Sequence, residues 1–198
     1  MRGNFERVMQ ARSYRRMGVA EYVAFDRSQD ARWEYVNGEA FAMAGGRPEH
    51  RVVVDNLVAA LKTTLKGKPC MPIGDGQKVS TRRTGAYHYP DATVVCGPVV
   101  RDPDDDHAFT NPTVLFEVLS PSTADYDRGG KFVHYRTLET LREYVVVDEE
   151  ARTVEHHARS GPDRWVMTIV RTGTLELAAA GVALALDDLW ADVERVRA

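Results

Sequence analysis

The sequence predicts a single domain of the α/β (α+β) class, and three patterns along the chain carry this prediction. The run 113–119 shows no polar alternation before Glu117, which is typical of a central strand covered on both faces. Residues 48–66 repeat apolar side chains at helical spacing. Asn37-Gly38, between two short β-like segments, is a strong signal for a two-residue hairpin turn.

The N-terminal half begins with an extension, residues 1–17, which is either a basic arm or a frayed, solvated segment. The domain itself is expected to span residues 18–198. Gly45-Gly46 interrupts the chain, Pro48 suits the first turn of a helix, and Gly67 ends that helix. The expected elements are a short helix at 19–25, the hairpin at 32–43, the long helix at 48–66, and strands at 70–73, 77–80 and 88–96.

The C-terminal half continues with a polar loop, residues 97–112. Its aspartates could bind a cation, but they lack the spacing of a calcium loop, so a solvated loop is expected; they are Asp102, Asp104, Asp105 and Asp106. The expected elements that follow are the central strand 113–119, a helix at 127–141, strands at 143–148, 153–158, 164–170 and 182–186, and a short helix at Leu189-Trp190.

The composition restricts the classes of function. Of the 198 residues, 43% are hydrophobic and 28% charged, which is ordinary for a soluble globular protein. The net charge of -3 means that any contact with nucleic acid must come from a local basic patch. Cys70 and Cys96 lie far apart in sequence, so we expect no disulfide framework and a reducing compartment. Because no apolar run is long enough to span a bilayer, we expect a cytoplasmic protein.

Two carboxylates lie in segments that read as buried strands, Asp91 within 88–96 and Glu117 within 113–119. A buried ionised carboxylate is costly unless a cation neutralises it. Mg²⁺ prefers oxygen ligands, and the backbone carbonyl of Val118 could add a third. Taken singly, either residue fits a structural reading in which Asp91 starts a strand or Glu117 pairs with an arginine. With Lys131 beside them, they predict a metal-dependent hydrolytic site.

Lys131 lies on the predicted helix 127–141, at helical spacing from Tyr135 and Leu138. From periodicity alone, its inward position fits either an extended aliphatic stem with a solvated head or the positive partner of the two carboxylates. In the second case Lys131 would orient or deprotonate the attacking water and stabilise the transition state.

Four further residues are candidates for supporting roles at this site. His50 shares the apolar stripe of the long helix, where a core histidine is the simpler reading, but its place near the helix start leaves a role open. Glu39 follows the hairpin turn, where an exposed position is the simpler reading. Asp127 either caps its helix or lies in the first turn. Tyr135 is expected to face the sheet.

Several strings of the chain resemble one known family, the Uma-type family of restriction-endonuclease-like proteins. The resemblance covers about residues 18–190, and its most specific string is 116–123, Phe-Glu-Val-Leu-Ser-Pro-Ser-Thr. The other strings are 33–39, His50 with Asn56-Leu57, Tyr89-Pro90-Asp91, Asp127, Lys131, Tyr135 and 143–148.

This resemblance implies a fold of the PD-(D/E)XK nuclease superfamily: a restriction-endonuclease-like mixed β-sheet flanked by helices, with an N-terminal hairpin and extra C-terminal strands. It also implies Mg²⁺-dependent phosphodiester hydrolysis, with Mn²⁺ as an alternative ion. Asp91 and Glu117 match the motif carboxylates. The superfamily lysine usually follows two residues after the glutamate, where this chain has Leu119, and Lys131 matches a lysine that the family carries on the next helix.

Three classes of function follow. The first is a metal-dependent endonuclease acting on nucleic acid, most simply DNA, as a homodimer because cutting both strands needs two active sites. The second is a catalytically silent module that binds nucleic acid or protein, and the third a structural or assembly protein. For the first, the candidate phosphate contacts are Lys78, Arg82 and Arg83, and on the long helix Arg47, Arg51, Lys62 and Lys66.

Overall fold

Helices and short strands are mixed along the chain in a computed structural model that describes residues 16–43, 45–74 and 76–197. Residues 1–15, most of the expected N-terminal extension, lie outside this description. The first part comprises helix α1 (Val19–Arg27), strands β1 (Trp33–Val36) and β2 (Glu39–Ala42), helix α2 (Pro48–Thr64), and strands β3 (Cys70–Ile73), β4 (Lys78–Thr81), β5 (Ala86–His88), β6 (Ala92–Cys96) and β7 (Ala108–Phe109).

The second part begins with strand β8 (Val114–Val118), a π-helical segment (Tyr126–Lys131) and helix α3 (Phe132–Tyr135). It continues with strands β9 (Glu143–Asp148), β10 (Thr153–Arg159), β11 (Trp165–Val170), β12 (Thr174–Leu177) and β13 (Val182–Ala185), helix α4 (Leu186–Leu189) and a 3₁₀ turn (Val193–Val196). The α+β class is confirmed, as are the first short helix, the hairpin, the long helix and most strands. The short helix predicted at Leu189-Trp190 lies earlier, at Leu186–Leu189. Strand β12 was not predicted, because the residues around it carry no hairpin signal of the Asn-Gly type.

The larger sheet has six strands in the order β11-β10-β9-β8-β6-β3. Strands β8 and β9 run parallel and the other neighbours antiparallel, so the sheet is mixed, as predicted. All five residues of β8 are buried. One face packs on α2, β12, β13 and α4, and the other on α3, which confirms a central strand covered on both faces.

The smaller sheet has five strands in the order β2-β1-β5-β4-β7. Its hairpin turns at Asn37-Gly38, where both residues have positive φ, as a two-residue turn of this type requires. Helix α1 packs on this sheet through Tyr22, which stacks on Tyr35.

The chain passes from the smaller to the larger sheet at Tyr89-Pro90-Asp91, between β5 and β6. The single strand predicted over 88–96 is therefore wrong. Pro90 has no backbone N–H and cannot take part in a ladder as a central residue, so the strand breaks there. As a result, Asp91 lies in the connection just before β6.

The predicted helix 127–141 is also shorter than expected, because it ends at Tyr135. The hydroxyl of Thr137 donates to the carbonyl of His134, and the guanidinium of Arg159 donates to the carbonyls of Arg136 and Leu138. These donors satisfy the carbonyls that a longer helix would have used.

The acidic loop 97–112 is only partly solvated, contrary to prediction. Asp102 and Asp105 are buried, whereas Asp104 and Asp106 are exposed. Both carboxylate oxygens of Asp105 have cationic partners, Lys78 at 2.6 Å and Arg27 at 2.8 Å. These partners lie far away in sequence, so the charge pattern of the loop alone could not reveal them.

The expectation for the cysteines is wrong as well. Strands β3 and β6 are antiparallel neighbours with Cys70 directly opposite Cys96, and the two form a disulfide. Within the described parts of the chain, we find no helix that combines the length and the apolar character needed to cross a membrane.

Candidate active site

Backbone hydrogen bonds bring Asp91 to the carboxyl end of β8. The Asp91 N–H donates to the carbonyl of Phe116 at 3.1 Å, and Oδ2 of Asp91 accepts from the N–H of Val118 at 2.7 Å. Glu117 lies between these two residues on the buried strand. Both carboxylates are largely inaccessible, with 9% of Asp91 and 2% of Glu117 exposed.

Lys131 lies at the end of the π-helical segment, and its ammonium meets three carboxylates. Nζ lies 3.0 Å from Oε2 of Glu117, 3.1 Å from Oδ1 of Asp127 and 3.2 Å from Oε1 of Glu34. Of these three contacts, the one with Glu117 has hydrogen-bond geometry. The structure thus brings Lys131 into contact with Glu117 and places Asp91 beside the same end of β8.

Burial and neighbouring charges together raise the pKa values of three residues in this cluster. Burial lowers the pKa of Lys131, but the three carboxylates, led by Asp127, outweigh it, so the pKa lies well above the usual value. Burial raises the pKa of Glu117 well above its usual range, and Lys131 offsets only part of this rise. The pKa of Glu34 is raised by burial for the same reason. The raised pKa of Lys131 favours its charged ammonium form within an acid-rich, poorly solvated site.

Glu34 is the site residue that the sequence reasoning missed. It lies on β1, and its Oε1 accepts from the N–H of Tyr89, two residues before Asp91. The sequence did contain a sign that Glu34 points inward. In a strand, Glu34 alternates with the aromatic residues Trp33 and Tyr35 and shares a face with Val36, which is buried.

Glu39 was the hairpin carboxylate named from the sequence, and the structure places it elsewhere. It lies on β2 opposite Val36 and forms an ion pair with Arg16 at 3.5 Å. Glu34, and not Glu39, is the hairpin carboxylate that reaches Lys131.

Tyr135 and Asp127 both contact the central residues. The hydroxyl of Tyr135 donates to Oε1 of Glu117 at 2.9 Å. Asp127 accepts from the hydroxyl of Thr123 at 2.6 Å, and its backbone carbonyl accepts from Tyr144. These bonds fix the directions of Glu117 and of the segment that carries Lys131.

His50, at the start of α2, approaches the site from the opposite side. Its Nε2 lies 3.5 Å from Oδ2 of Asp91, and the ring also contacts the backbone of Val118. Burial lowers the pKa of His50, but the hydrogen bond and the charge of Asp91 outweigh it, so the pKa lies above the usual value. The reading of His50 as a plain core residue does not describe this environment.

The donor set fits a hard divalent cation. Asp91 and Glu117 supply carboxylate oxygens and Val118 a carbonyl, and the nearby Glu34 and Asp127 leave the cluster rich in negative charge. Within the described residues, no set of three or more His, Cys, Asp or Glu side chains has the arrangement of a metal cluster. A Mg²⁺ site would not need such a set, because Mg²⁺ commonly takes one or two carboxylates and completes its shell with water and phosphate oxygens.

The basic residues proposed for phosphate contact lie in different surroundings. Lys78 is buried and forms ion pairs with Asp26 and Asp105. Arg82 pairs with Asp102 at 3.0 Å. Lys62, twelve residues after His50 on α2, lies about 18 Å further along the helix axis, and Lys66 follows the helix.

Two others of the proposed residues, Arg47 and Arg51, lie at the same end of α2 as His50. Both are exposed, and Arg47 forms an ion pair with Glu150 at 2.7 Å. Arg83 is exposed in the turn that follows β4.

Together, the mixed sheet flanked by helices and the cluster of two carboxylates and a lysine at the end of its central strand define a restriction-endonuclease-like protein. The family model of Uma2, described as "Putative restriction endonuclease", matches residues 19–188. The chain therefore belongs to the Uma2 family.

Two proteins of Synechocystis are similar along most of their length. The "Uncharacterized protein slr1290" is 31% identical over 176 residues, which is 88% of this chain and 92% of that protein. The "Uncharacterized protein sll1609" is 29% identical over 150 residues, 76% of this chain and 85% of the other.

A solved structure shares the fold. It is the crystal structure of "a putative nuclease belonging to DUF820" from Anabaena variabilis, with a TM-score of 0.74 and 13% sequence identity. The match covers 89% of this chain and 99% of the other. At this identity the likeness shows a common fold.

Proposed function

We propose that this protein is a metal-dependent endonuclease that hydrolyses phosphodiester bonds in DNA, with Mg²⁺ as the cofactor and Mn²⁺ as a substitute. The observation that carries the proposal is the convergence of Asp91, Glu117 and Lys131 at the end of β8. The description of the Uma2 family and the name of the Anabaena protein support the reaction class.

In this proposal Asp91, Glu117 and the Val118 carbonyl hold the cation. When bound, the cation lowers the pKa of a water molecule and neutralises charge that develops on the phosphoryl group. Tyr135 holds Glu117 through Oε1, and the Val118 N–H holds Asp91, so both carboxylates are oriented before the ion arrives.

Lys131 acts as a fixed cation and not as a base. Its raised pKa favours the protonated ammonium, so we assign it the role of a cation. It can orient the attacking water and donate to a phosphoryl oxygen. Glu34 and Asp127 hold the ammonium head at this position.

The finer parts of the proposal concern assembly and location. Cutting both strands of a duplex needs two active sites, so we propose a homodimer. We keep the cytoplasm as the proposed location because DNA is the proposed substrate. The Cys70–Cys96 disulfide argues in the other direction, since thiols are kept reduced in most cytoplasms.

A second candidate is a catalytically silent module that binds nucleic acid or protein on the same fold. The observation that favours it is the closure of the site by its own ion pairs: Lys131 is only 5% exposed and has three carboxylate partners. Salt-dependent binding of DNA without any metal-dependent turnover would identify this function.

The test is a cleavage assay on supercoiled plasmid, single-stranded DNA and RNA, with Mg²⁺, with Mn²⁺ and with chelator. The proposal expects metal-dependent cleavage of DNA by the unaltered protein and none by Asp91→Ala. Asp104→Ala, which removes an exposed acid from the loop 97–112, is the matched control and should cleave normally. Equal cleavage by Asp91→Ala would show that the measured cleavage does not come from this site, and would contradict the proposal.

A further inference from the structure

Strand β11 forms one edge of the six-stranded sheet and has an unusual surface. Its outer side faces no other strand that the structure describes. Its sequence, Trp-Val-Met-Thr-Ile-Val, carries no charge, and Val166, Met167 and Ile169 are 47%, 52% and 42% exposed. Exposed edge strands are normally shortened, charged or interrupted by proline to prevent pairing. The opposite edge, β3, is shorter and contains Pro72.

The hydrogen bonds at the base of the β10–β11 hairpin show which backbone groups of β11 point outward. The Ser160 N–H donates toward β11, to the carbonyl of Arg164. The Arg159 N–H donates toward the opposite neighbour, to the carbonyl of Arg142 just before β9. Bonding alternates along an antiparallel pair. The even-numbered residues of β11 therefore bond to β10, and Trp165, Met167 and Ile169 direct their N–H and C=O groups away from the sheet.

We propose that β11 pairs antiparallel with β11 of a second copy of this chain, about a two-fold axis at Met167. In this register Met167 faces Met167 of the second copy, and Trp165 faces Ile169. Each of these pairs joins residues with outward backbone groups, so each can exchange both of its hydrogen bonds. A shift by one residue would set outward groups against groups already bonded to β10.

Charge complementarity selects this register among those that the backbone permits. Asp163 and Arg171 flank β11 at equal distances from Met167, and both are exposed. Pairing centred on Met167 sets Asp163 of each copy opposite Arg171 of the other. Centring on Val166 or Thr168 would separate these two charges and place each of them beside an uncharged residue.

The pairing also has a consequence for the candidate active sites. Trp165 packs against Phe132 on the face of the sheet that carries Leu115, and therefore Glu117, since residues alternate between faces along β8. The two-fold axis runs perpendicular to the sheet, so both Glu117 clusters would lie on one face of a continuous twelve-stranded sheet. The pairing itself does not rest on the proposed nuclease activity; only its use in cutting two strands does.

Sedimentation velocity over a wide range of protein concentration tests whether the protein forms a dimer through β11. The unaltered protein should be a dimer, and Met167→Lys should be a monomer, because it sets two ammonium groups against each other at the axis. Met71→Lys is the matched control: Met71 is 49% exposed on β3, the opposite edge, and its variant should remain dimeric. A monomeric unaltered protein, or a dimeric Met167→Lys variant, would overturn the proposal.

A charge exchange tests the register. Asp163→Arg should weaken the dimer, because it sets two arginines against each other, and Arg171→Asp should weaken it as well. The double variant Asp163→Arg/Arg171→Asp should recover the dimer. Failure of the double variant to recover, with circular dichroism showing an intact fold in all three, would contradict pairing centred on Met167.

Oxidative crosslinking gives a second, independent measurement of the register. Hydrogen-bonded antiparallel partners have Cα atoms about 5.5 Å apart, within the range of a disulfide. Met167→Cys should form a covalent dimer on mild oxidation, whereas Ile169→Cys, which faces Trp165 of the second copy, should not. Equal crosslinking of both variants would mean that the two β11 strands meet in a different register, and would refute pairing centred on Met167. Because neither readout uses DNA or a metal ion, a failed cleavage assay and a failed dimer remain distinguishable.

Discussion

The acidic residues around Lys131 differ in what holds each of them. Asp91 is fixed by the backbone of Val118, Glu117 by the hydroxyl of Tyr135, and Asp127 by that of Thr123. These bonds orient the carboxylates independently of the ammonium. Substitution of the lysine and substitution of the carboxylates should therefore have separable effects.

Removing either proposed ligand should abolish binding of Mg²⁺. Asp91→Ala and Glu117→Ala each delete a carboxylate from a site with few other ligands, and the strand β8 that carries the site is held by its ladder bonds. Titration calorimetry with Mg²⁺ measures the loss, and circular dichroism checks the fold. Unchanged metal affinity in both variants would refute the assignment of these ligands.

Replacing the lysine should separate binding from chemistry. Lys131→Met should still bind Mg²⁺ but lose roughly a hundredfold or more in cleavage rate, the usual cost of one electrostatic contributor to a transition state. Single-turnover cleavage measured beside metal titration distinguishes the two effects. If the variant cleaves at an unchanged rate, Lys131 has no part in the mechanism.

At the scale of elements, the sequence predicts what local chemistry determines and misses what depends on distant partners. The Asn37-Gly38 turn, helix α2 and the uniformly buried β8 could all be predicted because propensity and periodicity agree there. The length of α3 could not, because its end depends on donors from Arg159 on β10. The role of Glu34 was missed because a glutamate in a hairpin strand is most simply read as exposed.

Arg159 joins α3 to the hairpin of β10 and β11, and its geometry cannot be reproduced by lysine. The guanidinium donates to carbonyls of Arg136, Leu138, Leu141 and Pro162 and lies over the ring of Trp165 at 4.5 Å. Arg159→Lys should lower the free energy of unfolding by about 2 kcal/mol, the value of a hydrogen bond to a charged group, since one ammonium cannot serve all of these acceptors.

Denaturant unfolding measures this change, and a neighbouring residue provides the control. Arg164→Lys makes the same substitution at an exposed position next to β11 and should leave stability within experimental error. Equal effects of the two substitutions would show that the carbonyl contacts of Arg159 do not stabilise the helix end.

At the scale of the whole molecule, a second buried charge cluster connects parts of the chain that are distant in sequence. Lys78 on β4 lies 2.6 Å from both Asp26 of α1 and Asp105 of the loop 97–112. The hydroxyl of Tyr89 donates to Asp26 at 2.7 Å, so the cluster also supports the connection that ends at Asp91. Residues outside the candidate site thereby contribute to its geometry.

This cluster should make the stability of the protein depend on acid through Asp105. Burial raises the pKa of Asp105, but hydrogen bonds from Lys78 and Arg27 outweigh it and hold the pKa below its ordinary value of 3.8. A carboxyl with a lowered pKa in the folded state stabilises the fold above its unfolded pKa and loses this effect as pH falls through the folded pKa.

Asp105→Asn should therefore lower the free energy of unfolding by about 2 kcal/mol near neutral pH, where charge-assisted hydrogen bonds are lost. The difference in unfolding free energy between the unaltered protein and the variant should narrow as the pH falls from about 3.8, where the unfolded carboxyl takes up a proton, down through the lower pKa of the folded Asp105. Urea unfolding at a series of pH values measures this difference in the free energy of unfolding. Asp104→Asn, at an exposed position in the same loop, is the control. A difference that stays constant down to acid pH would mean that Asp105 stabilises the fold by packing and not by its charge.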